Sequence, residues 1–131
     1  MKTLIQKLRS NQDGAAVVEF AMSLPLMISF IFGLFQVALI FEANSGVQHA
    51  MGQAARYATI YPTPTDAEIK QMVIDSDFGT HNGKLAEASV TTDAGGEFKT
   101  ISIHYEQPTD FIFFEGPTVD IEKSKRIYVA N

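Results

Sequence analysis

The fold is decided by residues 20–41, FAMSLPLMISFIFGLFQVALIF, which are 22 residues without Asp, Glu, Lys, Arg or His. At about 1.5 Å per residue, a helix of this length extends about 33 Å and crosses a hydrocarbon core of about 30 Å. A buried core helix is one alternative, but a chain of 131 residues has little protein to cover an apolar helix on every side. A cleaved signal peptide is another, and its apolar region is shorter, about 7 to 15 residues. The stretch therefore predicts a membrane-spanning helix.

The charges beside this stretch predict its orientation. Lys2, Lys7 and Arg9 precede the span and Glu42 follows it. The positive-inside rule then places the N-terminus in the cytoplasm and the C-terminal part outside. From residue 42 onward the chain has seven basic and thirteen acidic residues, a balance that argues against nucleic acid as a partner. Membrane lipid is the expected surrounding of the span.

Four segments are predicted along the chain. Residues 1–14 form a basic leader, and residues 15–41 form the transmembrane part of one long helix. Residues 42–61 form its amphipathic part outside the membrane, and residues 62–131 form a small α+β domain on the same side. The long helix is expected to reach about residue 60, before the two prolines of YPTPT. Its second half has apolar residues at helical spacing, namely Ala43, Val47, Ala50, Met51, Ala54 and Ala58.

The remaining elements are one short helix and a small sheet. A capping-box pattern from Thr65 to Glu68 starts the helix, and Gly79 is expected to end it. The segments KLAEASVTT, FKTISIHYEQ and VDIEKSKRIYV alternate as half-buried strands do, and Gly95-Gly96 is typical of a hairpin turn. The sequence predicts an α+β fold with a long N-terminal helix, a short second helix and about three antiparallel strands.

The link between the last two strands contains four consecutive apolar residues, Phe111 to Phe114. Such a run is expected to pack its aromatic rings onto the sheet or a helix of its own chain. If it is exposed instead, it becomes a contact for a partner or a membrane surface.

Residues for catalysis or metal binding are sparse. His49, His81 and His104 are far apart in the sequence without metal-ligand spacing, and there is no cysteine. Asp75 and Asp77 are expected to be solvated. We therefore predict a protein that is not an enzyme and needs no cofactor or metal.

Small residues form two lines along the long helix. Gly46, Ala50, Ala54 and Ala58 stand four residues apart, and Ser29 with Gly33 continues that spacing inside the span. Close packing of the helix on its own sheet is one interpretation of the first line. Contact with the helix of another subunit is the other, because small residues favour the association of spans.

Glu19 places a carboxylate near the start of the apolar segment. A charge costs about 2.5 to 3.5 kcal/mol at the bilayer centre and less near an interface. One interpretation is that Glu19 lies among headgroups and favours the helix N-terminus through the macrodipole. The other is that a cut between Gly14 and Ala15 creates an amine one turn away, which pairs with Glu19.

These residues resemble a known pattern. Gly14, then AAVV, then Glu19 and Phe20, behind a basic leader, is similar to the processing site of type IV prepilins. The longer run from Gly14 to Ala58 resembles the TadE-like pseudopilins of Flp or Tad pilus systems. The resemblance includes LP at residues 24–25, FG at residues 32–33 and ARYA at residues 55–58.

The resemblance implies a minor pilin-like component needed to assemble a Tad/Flp type IVb pilus for adhesion and biofilm formation. It implies a place in the bacterial inner membrane, with the globular part in the periplasm. It implies cleavage after Gly14 by a prepilin peptidase, and it makes Glu19 the acid of the motif. Further partners would be a TadF-like pseudopilin, the Flp major pilin and the inner-membrane Tad assembly platform. Gln36 and Leu39 depart from the family, which often has an acidic and a basic residue there. A type II secretion pseudopilin and a membrane-anchored periplasmic binding or sensor domain remain alternatives.

Overall fold

The computed structural model describes residues 13–76 and 82–129, and its α+β fold confirms the predicted class. It contains the helices α1 (Asp13–Tyr57) and α2 (Asp66–Ile74) and the strands β1 (Lys84–Thr92), β2 (Phe98–Gln107), β3 (Asp110–Phe111), β4 (Phe114–Glu115) and β5 (Val119–Tyr128). Strands β1, β2 and β5 form one antiparallel sheet in the order β1-β2-β5, and β3 pairs with β4. The predicted leader up to residue 12, and Asp77, Gly79 and His81, lie outside the described residues.

The chain divides into two compact units, Met1–Phe35 and Gln36–Asn131. The described part of the first unit is the N-terminal portion of α1, which continues through Pro25. The Ser29 hydroxyl donates to the carbonyl of Pro25 at 2.8 Å within this helix. The second unit contains the rest of α1, α2 and all strands.

Helix α1 ends at Tyr57, slightly earlier than the predicted residue 60. The amide of Thr59 donates to the carbonyl of Arg56 at 3.1 Å, and its hydroxyl donates to the same oxygen at 2.8 Å. These bonds over three residues close the last turn and satisfy a carbonyl that has no helical partner. The helix therefore ends before it reaches Pro62.

The core of the second unit joins its helices to one face of the sheet. Strand β2 alternates strictly between buried and half-buried residues, so every second side chain enters the core. The apolar core residues are Ala43, Val47, Ala50, Met51, Ala54 and Ala58 of α1, Ile69 and Val73 of α2, and Ala88, Ile101, Ile103, Tyr105, Ile121 and Val129 of the strand region. Small alanines on α1 thus pack in the same cluster as larger residues of the sheet.

The predicted capping box at the start of α2 is present. The Thr65 amide donates to Glu68 Oε2 at 2.8 Å, and the Glu68 amide donates to Thr65 Oγ1 at 3.3 Å. Hydrogen bonds from the backbone amide and then the hydroxyl of Thr65 hold the pKa of Glu68 below its usual value. The helix ends at Ile74, with Asp75 as its C-cap, so it stops before Gly79.

An ion pair ties α2 to the sheet. Lys99 lies on the core-facing side of β2, is 7% exposed, and forms an ion pair with Asp66 at the start of α2. The Thr92 hydroxyl also donates to Asp66, at 2.8 Å. Partial burial alone would raise the pKa of Asp66, but the hydrogen bonds from Lys99 and Thr92 and the Lys99 charge together lower it. The carboxylate therefore remains charged beside the core.

The turn between β1 and β2 has the glycine chemistry that the sequence predicts. Gly96 has a φ of 73°, a left-handed conformation that residues with a Cβ rarely adopt. Its amide donates to the carbonyl of Asp93 at 3.0 Å, and the Asp93 side chain accepts from the amide of Phe98 at 2.9 Å. Gly95-Gly96 therefore closes a hairpin.

Candidate functional site

The motif residues lie near the start of the described part of α1, Asp13–Tyr57. Gly14, Ala15, Glu19 and Phe20 are all exposed, and the Phe20 ring is 62% exposed. A Cβ added to Gly14 meets no atom within 4 Å. The fold therefore does not itself require glycine at residue 14, where neither a positive φ nor a close neighbour is found.

Glu19 lies one helical turn after Ala15. Four residues correspond to about 6 Å along the helix axis, and residues four apart share a helix face. Among the residues that the structure describes, no hydrogen bond or ion pair engages the Glu19 carboxylate. The carboxylate is therefore available to a positive charge outside the described chain.

The apolar segment that follows is exposed. The 18-residue window that is most apolar in α1 has none of its residues buried inside the structure. Exposed side chains include Met22, Leu26, Phe30 and Phe35, each at least 64% exposed. The segment is therefore not a core helix of this chain, which removes the first alternative to a membrane span. Helix α1 is long and apolar enough to cross a membrane once.

The two lines of small residues have different surroundings. Ala50, Ala54 and Ala58 are at most 1% exposed and belong to the core, whereas Gly46 is half-buried. In the apolar segment Ser29 and Gly33 are both half-buried, and the Ser29 hydroxyl is bonded to its own helix. The structure thus places the three alanines against other residues of their own unit.

The run from Phe111 to Phe114 does not pack inward, so that expectation is wrong. It forms the hairpin β3–β4 with Ile112 and Phe113 at the turn, and the rings of Phe111 and Phe114 stack with centroids 4.8 Å apart. Ile112, Phe113 and Phe114 are 45%, 68% and 62% exposed. The two-residue turn places Ile112 and Phe113 at the end of the hairpin, away from the core of the second unit, and the stack with Phe111 still leaves Phe114 largely exposed.

Strands β2 and β5 bring together three potential metal ligands that the sequence spacing does not indicate. Ligand atoms of His104, Glu106 and Asp120 lie within 4.8 Å of one another. Glu106 pairs with Lys84 at 2.9 Å, and His104 Nε2 lies 3.4 Å from Asp120. Alternating charges on neighbouring strands stabilise a sheet face without any ion. The register of β2 with β5, in which Glu106 faces Asp120, produces this cluster, and no local motif could have indicated it.

The other predicted polar residues show no further site. His49 on α1 lies 3.4 Å from Gln53 of the same helix. Asp75 accepts from Gln71 at 2.7 Å at the end of α2. These are ordinary contacts within a helix.

Comparison with known protein families gives one match. Residues 14–56 match the family model described as TadE-like protein, which is 43 of the 131 residues. Neither the search of curated proteins nor the search of solved structures found a match. The matched range begins at the motif glycine and ends one residue before the end of α1. The resemblance to the TadE-like family is thereby confirmed, and helix α1 is the element of this chain that carries it.

Proposed function

We propose that this protein is a minor pilin-like component, a pseudopilin, required to assemble a Tad/Flp pilus. The observation that carries the proposal is the TadE-like match over residues 14–56, which covers both the motif at Gly14 and the exposed apolar segment. Enzymatic activity forms no part of the proposal, because components of this kind are structural.

The proposed topology is a single pass through a bacterial inner membrane. The basic residues Lys2, Lys7 and Arg9 remain in the cytoplasm, and the second unit lies in the periplasm. In the proposed organisation, residues 1–14 are a leader, residues 15–41 contain the span, and residues 42–61 and 62–131 are periplasmic. The exposed apolar side chains of α1 then contact lipid, which accounts for their lack of cover in the chain itself.

The proposed processing step is cleavage of the bond between Gly14 and Ala15 by a prepilin peptidase. This bond lies near the start of the described part of α1, and both of its residues are exposed to a peptidase. Cleavage leaves the new amine of Ala15 one turn from the unpaired Glu19 carboxylate, which supports a role of this pair in assembly.

The proposed partners follow from this assignment. They are the prepilin peptidase, a TadF-like pseudopilin, the Flp major pilin and the inner-membrane Tad assembly platform. A pseudopilin of a type II secretion system would share Gly14 and Glu19, but the family match favours the Tad system. Adhesion and biofilm formation would be the consequences of the assembled pilus.

Mass spectrometry tests the proposal directly. The chain is coexpressed with its prepilin peptidase, and we expect the membrane-extracted protein to have lost residues 1–14. Gly14→Ala should keep the full mass, because the peptidase requires glycine at the cleavage site. Gly52→Ala is the matched control, since a Cβ at Gly52 also meets no atom within 4 Å in the same helix.

Each possible result has a clear meaning. Cleavage of the wild type and of Gly52→Ala, with an intact Gly14→Ala variant, supports the pseudopilin assignment. A wild-type chain that keeps residues 1–14 contradicts it, and so does a Gly14→Ala variant that is cleaved normally. Misfolding does not explain an intact variant, because the structure has open space at Gly14.

A further inference from the structure

The hairpin β3–β4 has an exposed apolar end, here called the hairpin tip, formed by Ile112, Phe113 and Phe114. These side chains are 45%, 68% and 62% exposed. Two-residue hairpin turns usually contain Gly, Asn or Asp, whereas this turn has Ile112 and Phe113. Neither turn geometry nor core packing therefore accounts for the apolar residues, and adjacent exposed apolar side chains mark a contact surface.

A hydrogen bond attaches the start of the hairpin to Gln36 of α1. The side-chain amide of Gln36 donates to the carbonyl of Asp110, the first residue of β3. Gln36 lies inside the uncharged stretch, six residues before Glu42, which is about 9 Å along the helix axis. The start of the hairpin is thus beside a part of α1 that the sequence analysis assigned to the membrane.

The apolar segment is long enough to span without its last residues. Residues 15–35 alone extend about 32 Å as a helix, which matches a hydrocarbon core of about 30 Å. If the membrane surface lay at Glu42, the polar contact between Gln36 and Asp110 would be inside the hydrocarbon. A membrane surface at Gln36 places this contact outside the hydrocarbon. It also places the hairpin at the depth of the headgroups, where apolar and aromatic side chains partition favourably.

We propose that the hairpin tip inserts shallowly into the outer leaflet of the membrane that α1 crosses. The proposal rests on the membrane anchorage in the proposed function and adds a second lipid contact to it. Asp110 and Glu115 pair across the base of the hairpin, and Asn82 donates to the Asp110 carboxylate at 3.1 Å, so polar groups remain at the headgroups while the tip enters the acyl region. Two points of attachment fix the orientation of the periplasmic unit relative to the membrane.

Lipid is a better occupant of the hairpin tip than another protein, because the hairpin is attached at Gln36, directly after the apolar residues 15–35 of α1. The apolar side chains Val37 and Phe41, one and five residues after Gln36, are also exposed, at 48% and 67%. The charged residues of the hairpin itself are Asp110 and Glu115, so its contact depends on apolar insertion rather than on attraction to anionic lipid.

Single tryptophans test the proposal, because the chain contains none. Phe113→Trp labels the tip. Phe30→Trp labels the apolar segment at a side chain that is 68% exposed, and Tyr61→Trp labels a loop side chain that is 86% exposed. The end of α1 before Tyr61 is about 32 Å along the helix from Gln36. Each full-length variant is reconstituted in phosphatidylethanolamine and phosphatidylglycerol vesicles that contain phosphatidylcholine brominated near the headgroup end of its acyl chains.

We expect Phe113→Trp to emit at a shorter wavelength than Tyr61→Trp and to lose emission to the brominated lipid. Tyr61→Trp should emit as a water-exposed tryptophan and keep its intensity. If Phe30→Trp is quenched while Phe113→Trp behaves like Tyr61→Trp, the tip proposal is overturned and the membrane anchorage stands. A Phe113→Trp signal that shifts only when other pilus proteins are added likewise overturns it in favour of a protein contact. If Phe30→Trp is not quenched, the anchorage itself fails.

Discussion

Replacement of Glu19 by glutamine is expected to impair pilus assembly while leaving membrane insertion intact. Glutamine has nearly the same shape as glutamate but no charge, so the variant isolates the electrostatic contribution. After cleavage, Ala15 has a positively charged amine four residues away, which is about 6 Å along α1. The amine and the carboxylate attract each other within one chain, or between neighbouring chains packed side by side.

The size of the effect follows from this separation. Two unit charges about 6 Å apart attract by about 0.7 kcal/mol in water and by about 2.8 kcal/mol at an effective dielectric constant of about 20. The headgroup region lies between these limits. The loss of one such pair per subunit therefore weakens an assembly step by about 3-fold to about 100-fold. Insertion should be unchanged or easier, because a charge near the span is removed.

The assay compares variants in cells that lack the chromosomal copy of the gene. Sheared pili are quantified by immunoblotting, while membrane fractions show insertion and mass spectrometry shows processing. Glu42→Gln is the matched control, because Glu42 is an exposed carboxylate of the same helix that forms no ion pair with the described residues. Wild-type amounts of pili from Glu19→Gln would refute the pairing of Glu19 with the Ala15 amine. They would favour a role for Glu19 at the membrane interface. Equal losses in both variants would refute it as well.

Two further predictions concern the periplasmic unit, measured by urea unfolding of the full chain in detergent micelles. Gly83→Ala should destabilise the periplasmic unit by about 1 to 3 kcal/mol, because the added Cβ would lie 2.5 Å from ring atoms of the buried Tyr105. Gly52→Ala should stabilise the unit by about 1 kcal/mol, because alanine favours a helix more than glycine does. Equal effects of the two substitutions would contradict the packing argument. Because the pKa of Asp66 is lowered in the folded state, its stabilising contribution is present above the unfolded pKa of about 3.9 and is lost as the pH falls through the folded pKa. Asp66→Asn should therefore be less stable near pH 7 and lose less stability on acidification, and an unchanged pH profile would show that the Lys99 pair contributes little.

Local sequence patterns predict most of the secondary structure. The strands β1 and β2 begin and end at the residues where the alternation begins and ends, and β5 is one residue shorter than predicted. The capping box at Thr65 and the turn at Gly95-Gly96 are also local features, because each depends on hydrogen bonds within a few residues. The end of α2 was less predictable, since it depends on where the chain leaves the core, and not on the glycine that follows.

Contacts between distant residues could not be predicted in this way. The sequence shows Lys99 as a polar residue that disturbs the alternation of β2, whereas the fold places it on the core-facing side, where Asp66 from another element neutralises it. Phe98 occupies the outer face instead, with the guanidinium of Arg126 4.0 Å from its ring centre. The position of each residue depends on strand register and on the docking of α2, which no single segment encodes.

The sequence by itself determined the apolar segment and the resemblance to the TadE-like family. An uncharged stretch of 22 residues, preceded by glycine and glutamate five apart, is enough to indicate a span and a TadE-like motif, because both depend on residues adjacent in the chain. Only the tertiary structure decided that Phe113 and its neighbours are exposed and that their hairpin is attached at Gln36. That attachment joins residues 74 positions apart, so it exists only once the sheet has packed against α1.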